Sequence, residues 1–429
     1  MDRIVIDGAT LIPCDDDGQV LENAVVGVEG DRITFVRDGE PHWEGARHID
    51  GSGCILIPGL INAHTHVAMT VMRGSADDLS LMDWLSDKVW PMEMAMSDED
   101  RYWASKLAML EMLKSGITCF LDMSLGTEGV AKACLETGLR ARICEALLET
   151  QDPDRKRLDA AVEQLASWKA RAHPLVDFDL GPHALYTCTR PYMDRMMEAA
   201  RDLDARIQIH VAETTVELDE CRRKYGMTPV EVLEEWGVLH QPTTAAHCIH
   251  LNERDREIFA KCGVTAVHNP SSNMKLAAGI MGAEALLAAG VTVALGTDSS
   301  ASNNNLSILG EMRRASLLQK AGDGDATSFG AGKALFAATR GGAAAVGRSD
   351  ELGQIREGYL ADLTLIRADG LHSWPPADPI SHLTYALRAD DVDTVIVGGR
   401  VLLHRGEFTE IDSQEVMARC REIATHIRV

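Results

Sequence analysis

The sequence has no apolar run approaching the roughly 18 residues that a membrane-spanning helix needs, so no helical bilayer span is expected. Its first ten residues, MDRIVIDGAT, lack the basic stretch and long apolar core of a secretory signal. Positive charge is also scarce. Forty-two Lys and Arg face 65 Asp and Glu, and the net charge of −23 argues against nucleic acid or an anionic membrane as partner. None of the ten cysteines forms a Cys-x-x-Cys pair, and many sit in apolar runs. Reduced, buried thiols in a cytoplasmic protein are therefore expected. No internal repeat, low-complexity tract or long linker interrupts the chain.

What is present is a regular alternation. At 429 residues the chain can bury a large core, and one large domain plus a small one is the natural division. From about Leu56 onward, short β-branched runs alternate with amphipathic stretches. The strand-like runs are ILIPGLINAHTH, TCFLDM, RARICEALLE, VDFDLGPHALYT, RIQIHVAE, TTAAHCIHL, TAVHNP and VTVALGTDSS. Helical patterns fill the gaps, as at 98–115, 190–204 and 252–262, where apolar residues recur at three and four. Eight such strand–helix units predict an α/β fold, a (β/α)8 TIM barrel, rather than an open sheet.

The flanks read differently. Residues 1–54 hold short alternating strands (RIVIDGATLI, AVVGVEG, DRITFVRDG), and 359–410 hold similar ones (ADLTLIRA, DTVIVGG, RVLLHRGEF). Neither flank has the apolar surface to fold alone. They are expected to combine into one small β-sandwich built from both chain ends. The divisions are then 1–57 for its first half, 58–358 for the barrel, and 359–429 for its second half plus a terminal helix.

His64 and His66 stand two apart after the apolar residues 55–57. Side chains at i and i+2 of a strand point the same way, so both imidazoles can reach one metal ion. A lone His-x-His occurs often by chance, and a histidine on a strand is often a satisfied core residue. Further reactive residues end other strand-like runs, however: His183, His210 with Glu213, His247, His268 and Asp298. In a (β/α)8 barrel those ends surround one mouth, where active sites form. Asp298 in GTDSS has an alternative reading as a turn or helix cap, given Ser299, Ser300 and the Asn run 303–305.

Catalytic zinc takes a few His or carboxylate ligands and keeps a position for water. The candidate ligands are His64, His66, His210 and Asp298. Lowering water's pKa from 15.7 to near 7 corresponds to roughly 12 kcal/mol, which no side-chain base supplies alone. Glu213, three residues past His210, can shuttle a proton between that water and a ring nitrogen or leaving amine. His247 can orient the water, and Asp298 can also accept its proton. A second metal would call for a bridging residue, usually a modified lysine at the fourth strand's end. That run, GPHALYT, has none, so one metal is expected.

The segments HTH, HVAE, AAHCIH, HNPSSNMKL and GTDSSASNNNL, in this order and spacing, resemble the amidohydrolase superfamily over nearly the whole chain. DLSLMDWLSDKVWPME, GPHALYTC and HVAET are similar to the deaminases of 5′-methylthioadenosine and S-adenosylhomocysteine. The resemblance implies one zinc ion per chain, with iron in some relatives, on His64, His66, His210 and Asp298. It implies that Glu213 protonates the purine ring nitrogen, that His247 positions the attacking hydroxide, and that Asp298 relays a proton to the departing ammonia. It also implies that Glu93 holds the ribose hydroxyls, that Trp84 walls the nucleoside pocket, and that His183 approaches the adenine. Arg157 carries over as a substrate contact in competition with Arg155. Trp84 and Trp90 alternatively read as core residues of a helix face, and Glu93 as a solvated helix charge. His250 and His268 are further histidines near the mouth, His268 the better site candidate.

One position departs from the family pattern. Where an arginine usually ends the third strand, this chain has Glu145. A glutamate would repel the carboxylate tail of S-adenosylhomocysteine by about 1 kcal/mol or more. The expected substrates are therefore 5′-methylthioadenosine, adenosine or 5′-deoxyadenosine, with ammonia and the inosine analogue as products. The alternative is removal of an amino or chloro group from another heterocycle, such as a triazine, pterin or free aminopurine. A small-molecule substrate, a homo-oligomer and a cytoplasmic location complete the expectation.

Overall fold

The computed structural model describes residues 3–15, 18–39 and 42–427. Eight parallel strand positions close into the barrel: β1 (Leu60–Thr65), β2 (Ile117–Ser124), β3 (Arg140–Leu147), β4, β5 (Ile207–Val211), β6 (Thr243–His247), β7 (Thr265–His268) and β8 (Thr292–Leu295). The fourth, β4, is two short pieces, Val176–Phe178 and Gly181–Pro182, both paired with β3. Two seams complete the ring. Leu180 bridges to Ile207, joining β4 to β5. At the other seam, the Asp298 N–H donates to the His64 carbonyl at 3.0 Å. Asn62 and Thr297 exchange hydrogen bonds of 2.7 and 3.0 Å there.

Helices cover the strands. α1 (Asp98–Lys114) begins at a reciprocal cap, in which Ser97 accepts from the Asp100 N–H and Asp100 accepts from the Ser97 N–H. Such a cap contributes about 1 kcal/mol and fixes where the helix starts. Its Tyr102, Ala108, Met109, Met112 and Leu113 then pack into the core that also holds Ile117 and Phe120 of β2. α2 (Thr127–Thr137) and α3 (Lys156–Arg171) follow β2 and β3, α4 (Arg190–Asp202) follows β4, α5 (Thr215–Tyr225) follows β5, and α6 (Glu253–Cys262) follows β6. The periodicities at 98–115, 190–204 and 252–262 correspond to α1, α4 and α6.

Two strand readings needed revision. ILIPGLINAHTH is not one barrel strand: Cys54–Pro58 belongs to the flanking sheet, and β1 starts at Leu60. The chain changes sheets at Gly59, where a Cβ would lie 2.0 Å from Thr118 Oγ1, so only glycine fits the crossing. VDFDLGPHALYT is likewise broken, at Asp179. This buried carboxylate accepts from Arg142 at 2.6 Å and from Gln208 at 3.1 Å.

The flanks form two packed sheets. One orders Arg32–Asp38, Ala24–Glu29, Arg3–Asp7 and Arg47–Asp50. The other takes strands from both chain ends: Glu407–Phe408, Arg400–His404, Val392–Val397, Leu363–Arg367, Cys54–Pro58 and Thr10–Leu11. Cys54 and Leu56 point between the sheets, against Ile6, Val26 and Leu365. Ile55 and Ile57 point the other way, into the barrel's core. The period-two alternation of one strand thus ties the sandwich to the barrel.

The terminal helix, α7 (Ser413–His426), has Asp412 as its cap, accepting from the Gln414 and Glu415 N–H groups. Its Val416, Cys420 and Ile423 pack in one cluster with Trp84, Leu85, Val89 and Met92. Those four belong to the segment 81–95, which arches from β1 towards α1 with a wide π-helical turn at Trp84–Val89. Through this cluster the far end of the chain braces a wall of the barrel mouth.

Candidate active site

The strand ends bring His64, His66, His210, His247 and Asp298 together. His64 and His66 have ring centroids 4.9 Å apart, and His64 and His210 are also 4.9 Å apart. Asp298 Oδ1 lies 3.3 Å from His66 Nε2 and 3.7 Å from His64 Nε2. Two overlapping donor groups, His64/His66/Asp298 and His64/His210/His247, each hold their ligand atoms within 4.8 Å of one another. This is the donor set of a divalent-metal site.

The hydrogen bonds behind these rings determine where their lone pairs point. His66 Nδ1 donates to the Met123 carbonyl, and His210 Nδ1 donates to the His183 carbonyl at 2.8 Å. A carbonyl only accepts, so each Nδ1 carries a proton and each Nε2 faces the centre, that of His66 towards Asp298. His64 Nε2 is buried with no hydrogen-bond partner among the described residues. Burial pushes the His64 and His210 imidazoles well below their usual pKa, keeping them neutral. Neutral, inward-facing nitrogens beside a carboxylate suit a dication.

Asp298 is held equally firmly. Its Oδ2 accepts from Ser272 at 2.6 Å and Ser302 at 2.8 Å, and its Oδ1 from the Ser299 N–H at 2.7 Å. Burial alone would raise its pKa, but the hydrogen bond and charge of His66 hold the carboxyl well below the usual range. The backbone here is bent into left-handed conformations, with φ of +60° at Asp298, +70° at His247 and +50° at Ala212. Each costs on the order of 1–3 kcal/mol for a residue with a Cβ. Neighbouring strands hold them there: Cys248 N–H donates to Val211 O at 3.0 Å, and Ile249 N–H to Ala212 O at 3.1 Å.

Glu213 and His247 face each other across this centre, Oε1 to Nε2 at 3.8 Å. His247 Nδ1 donates to the Asn273 side-chain oxygen at 2.8 Å, which turns Nε2 towards Glu213. Burial raises the Glu213 pKa, so its carboxyl can hold a proton closer to neutral pH.

One pocket is lined by His66, His183, His210, Glu213, His247 and Asp298 together with Trp84, Trp90 and Glu93. Trp84 and Glu93 are thus neither purely core nor solvated. Glu93 is only 8% exposed, and burial pushes it up to about 7. Apolar walls come from Met69, Leu81, Leu85, Met123, Leu125 and Leu148.

Other residues lie outside that lining. Arg157 sits in the adjoining groove with its Nε 3.9 Å from Glu145 Oε1. Arg155 is the exposed residue before α3. His250 Nε2 donates to the Ala278 carbonyl at 2.9 Å. His268 is completely buried at the end of β7 and does not line the pocket. Glu145 needs the larger correction. Rather than pointing a bare charge at the pocket, it accepts from Gly126 N–H at 3.1 Å and Thr127 N–H at 3.4 Å. It caps α2, which starts at a glycine with no side chain to do so.

Four supporting residues had escaped notice in the sequence. Tyr186 lines the pocket with its ring edge-on to His183, centroids 5.6 Å apart. Its signal was the position three residues past His183 in GPHALYT. Ser272 and Asn273 were visible only as part of HNPSSN. Glu217, whose carboxylate accepts the Glu213 N–H at 3.0 Å, carried no motif of its own.

The amidohydrolase family pattern matches residues 55–402, from the strand before β1 into the sandwich. The chain belongs to the amidohydrolase family. A 5-methylthioadenosine/S-adenosylhomocysteine deaminase of Moorella thermoacetica is 42% identical over 422 residues, 98% of each chain. An adenosine deaminase from Xanthomonas campestris, solved with bound zinc, superposes with a TM-score of 0.94 at 33% identity, covering 99% of this chain and 98% of that one. An atrazine chlorohydrolase from Arthrobacter aurescens, complexed with zinc, has a TM-score of 0.91 at 26% identity, covering 98% of this chain and all of its own.

Proposed function

We propose that this amidohydrolase removes the 6-amino group of an adenine nucleoside by hydrolysis, releasing ammonia and the inosine analogue. The observation that carries the nucleoside reading is Glu93, a buried carboxyl lining the same pocket as Glu213 and the metal donors. A carboxylate there can accept both ribose hydroxyl protons, while the Trp84 face walls the sugar and His183 approaches the base. The Moorella and Xanthomonas relatives, named as nucleoside deaminases, support it.

One zinc ion per chain is assigned to His64, His66, His210 and Asp298, with iron as the alternative. When bound, the metal supplies an activated water by lowering its pKa towards neutrality. The chain's own residues do the rest. Glu213 takes a proton from the attacking water and delivers it to the purine N1, which makes C6 electrophilic. His247, fixed by Asn273, orients that water through Nε2. As the water oxygen bonds to C6, Asp298, fixed by Ser272 and Ser302, takes the remaining proton of the added hydroxyl. It passes that proton to the amine while the C6–N bond breaks, so one water is consumed and one ammonia leaves. The pocket's apolar walls exclude bulk water from these transfers.

5′-Methylthioadenosine, adenosine and 5′-deoxyadenosine are favoured over S-adenosylhomocysteine. Arg157, a cation of the groove beside the pocket, is already faced by Glu145. The free thiols of all ten cysteines suit a cytoplasmic location. A homo-oligomer belongs to the same proposal, and light scattering checks it.

An ammonia-release screen tests the reading, using adenine nucleosides, S-adenosylhomocysteine, free aminopurines, a pterin and a triazine. Turnover confined to the adenine nucleosides is expected. Faster turnover of a base without sugar, or of the triazine, would move the assignment to a heterocycle hydrolase of the Arthrobacter kind.

A further inference from the structure

Glu217 is a buried carboxyl next to the proposed proton carrier. It is 3% exposed and lies in the first turn of α5, whose cap Thr214 accepts the Glu217 N–H at 3.2 Å. Ordinarily a glutamate at this position reaches back to its cap residue. Here it reaches one residue further. Its Oε2 accepts the N–H of Glu213 at 3.0 Å, and its Oε1 is buried with no hydrogen-bond partner among the described residues.

The chain between His210 and Glu213 has to turn sharply, from strand β5 through the left-handed Ala212 (φ +50°) into the pocket. Two kinds of bond hold that turn. The Ala212 carbonyl accepts from Ile249 N–H at 3.1 Å and His250 N–H at 3.0 Å, which anchors it to the loop after β6. The amide of Glu213 itself is anchored by Glu217. Glu213 therefore has a backbone fixed from both sides.

We propose that Glu217 is a positioning residue for Glu213, clamping its amide so that the Glu213 carboxyl keeps one orientation through both proton transfers. The groups that face Glu217 are Glu213, Tyr186, Cys221 and Cys248. None is a cation, and burial pushes the Glu217 carboxyl up to about 8. Burial thus favours the neutral acid, in which one oxygen still accepts from Glu213. A glutamine reproduces that arrangement, amide oxygen for acceptor and NH2 for hydroxyl. The proposal rests on Glu213 being the proton carrier.

The test compares Glu217→Gln and Glu217→Met, each in the native background and in Glu213→Gln, with kcat, KM, metal content and melting temperature measured. Met fills the space but has no strong acceptor. Misplacing a catalytic group by about an ångström costs roughly 100-fold. Glu217→Met should lower kcat by roughly 10- to 100-fold with KM and metal content unchanged, and Glu217→Gln should recover most of that loss. In the Glu213→Gln background, Glu217→Met should add almost nothing, because the group it positions is gone. If Met fails to fold, Glu217→Ala provides the acceptor-free comparison. Losses that multiply in the double variant, or a glutamine no better than methionine, overturn the clamp. A Glu213→Gln protein with near-native kcat overturns the catalytic reading itself, a result distinct from either.

Discussion

His183 supports His210 with its backbone and faces the pocket with its side chain. Its carbonyl accepts the His210 Nδ1 proton at 2.8 Å, and its imidazole lines the cavity beside Tyr186. One residue thereby holds the His210 ring and lines the pocket through different atoms. Burial pushes its imidazole down to about 3, so the ring is neutral at working pH.

That division makes a clear prediction. His183→Ala keeps the carbonyl and should leave metal content unchanged, while KM for an adenine nucleoside rises several-fold. Elemental analysis alongside steady-state kinetics checks it. Metal loss in His183→Ala would show that the side chain, not the backbone, supports His210.

The metal itself is the second prediction. Purified protein should hold one tightly bound divalent ion per chain. Chelation should abolish activity, and added zinc should restore it. His64→Ala and Asp298→Ala should both lose the ion. Two metals per chain, or full activity with none, would contradict the assignment of His64, His66, His210 and Asp298.

Glu213→Gln is the third. It preserves shape and hydrogen bonding but not proton transfer, so kcat should fall by about 10² or more with metal retained. A loss of only a few-fold would assign the proton shuttle to another group, such as Asp298.

The donors were legible in the sequence because each follows the same local logic, an apolar lead-in ending on a polar tip. RIQIH, TTAAH and the run into His64 bury their first residues in the barrel, so their tips must emerge at its mouth. Less visible was anything set by long-range pairing. Glu145 and Gly126 are 19 residues apart, and no local pattern announces that one caps the helix after the other. Gly59 reads locally as a glycine within a strand, and only Thr118, which fills the space of its missing Cβ, makes it the crossing point. Arg47–Asp50 was not anticipated as a strand, since RHID has little β-propensity and forms because Ile4–Asp7 offers it an edge. The sandwich and barrel were readable from strand–helix patterning, with a division placed at 57/58; that a glycine at 59 makes the crossing was not.

Glu93 yields the fourth prediction. If its carboxylate accepts both ribose hydroxyls, a 2′-deoxynucleoside leaves it one charged hydrogen bond short. That is worth about 1.5–3 kcal/mol, or roughly 10- to 150-fold in kcat/KM. Because burial pushes Glu93 up to about 7, the anion predominates above that pH and the neutral acid below it. The ribo-over-deoxyribo preference should therefore grow from pH 6 to pH 8, and Glu93→Ala should erase both the preference and its pH dependence. Equal rates on the two sugars in the native protein would count against the nucleoside reading.

The last prediction concerns the pair Glu145 and Arg157, 3.9 Å apart in the groove adjoining the pocket. Replacing Glu145 by arginine would put a cation against the N–H groups that open α2, so it would change stability as well as specificity. Glu145→Gln is the cleaner variant. Its amide oxygen can still accept from Gly126 and Thr127, so the helix start is preserved, but the charge facing Arg157 is gone. An unopposed guanidinium then becomes available to a carboxylate. Purine and ribose contacts are common to 5′-methylthioadenosine and S-adenosylhomocysteine, so the ratio of their kcat/KM values isolates the tail. One charge–charge interaction in partly screened surroundings is worth about 1 kcal/mol, near fivefold. Glu145→Gln should shift the ratio towards S-adenosylhomocysteine by roughly that factor at low salt, and by less as salt screens the interaction. An unchanged ratio would mean that the tail does not reach the groove. A native protein that already strongly prefers S-adenosylhomocysteine would mean that Arg157 holds the carboxylate with Glu145 in place.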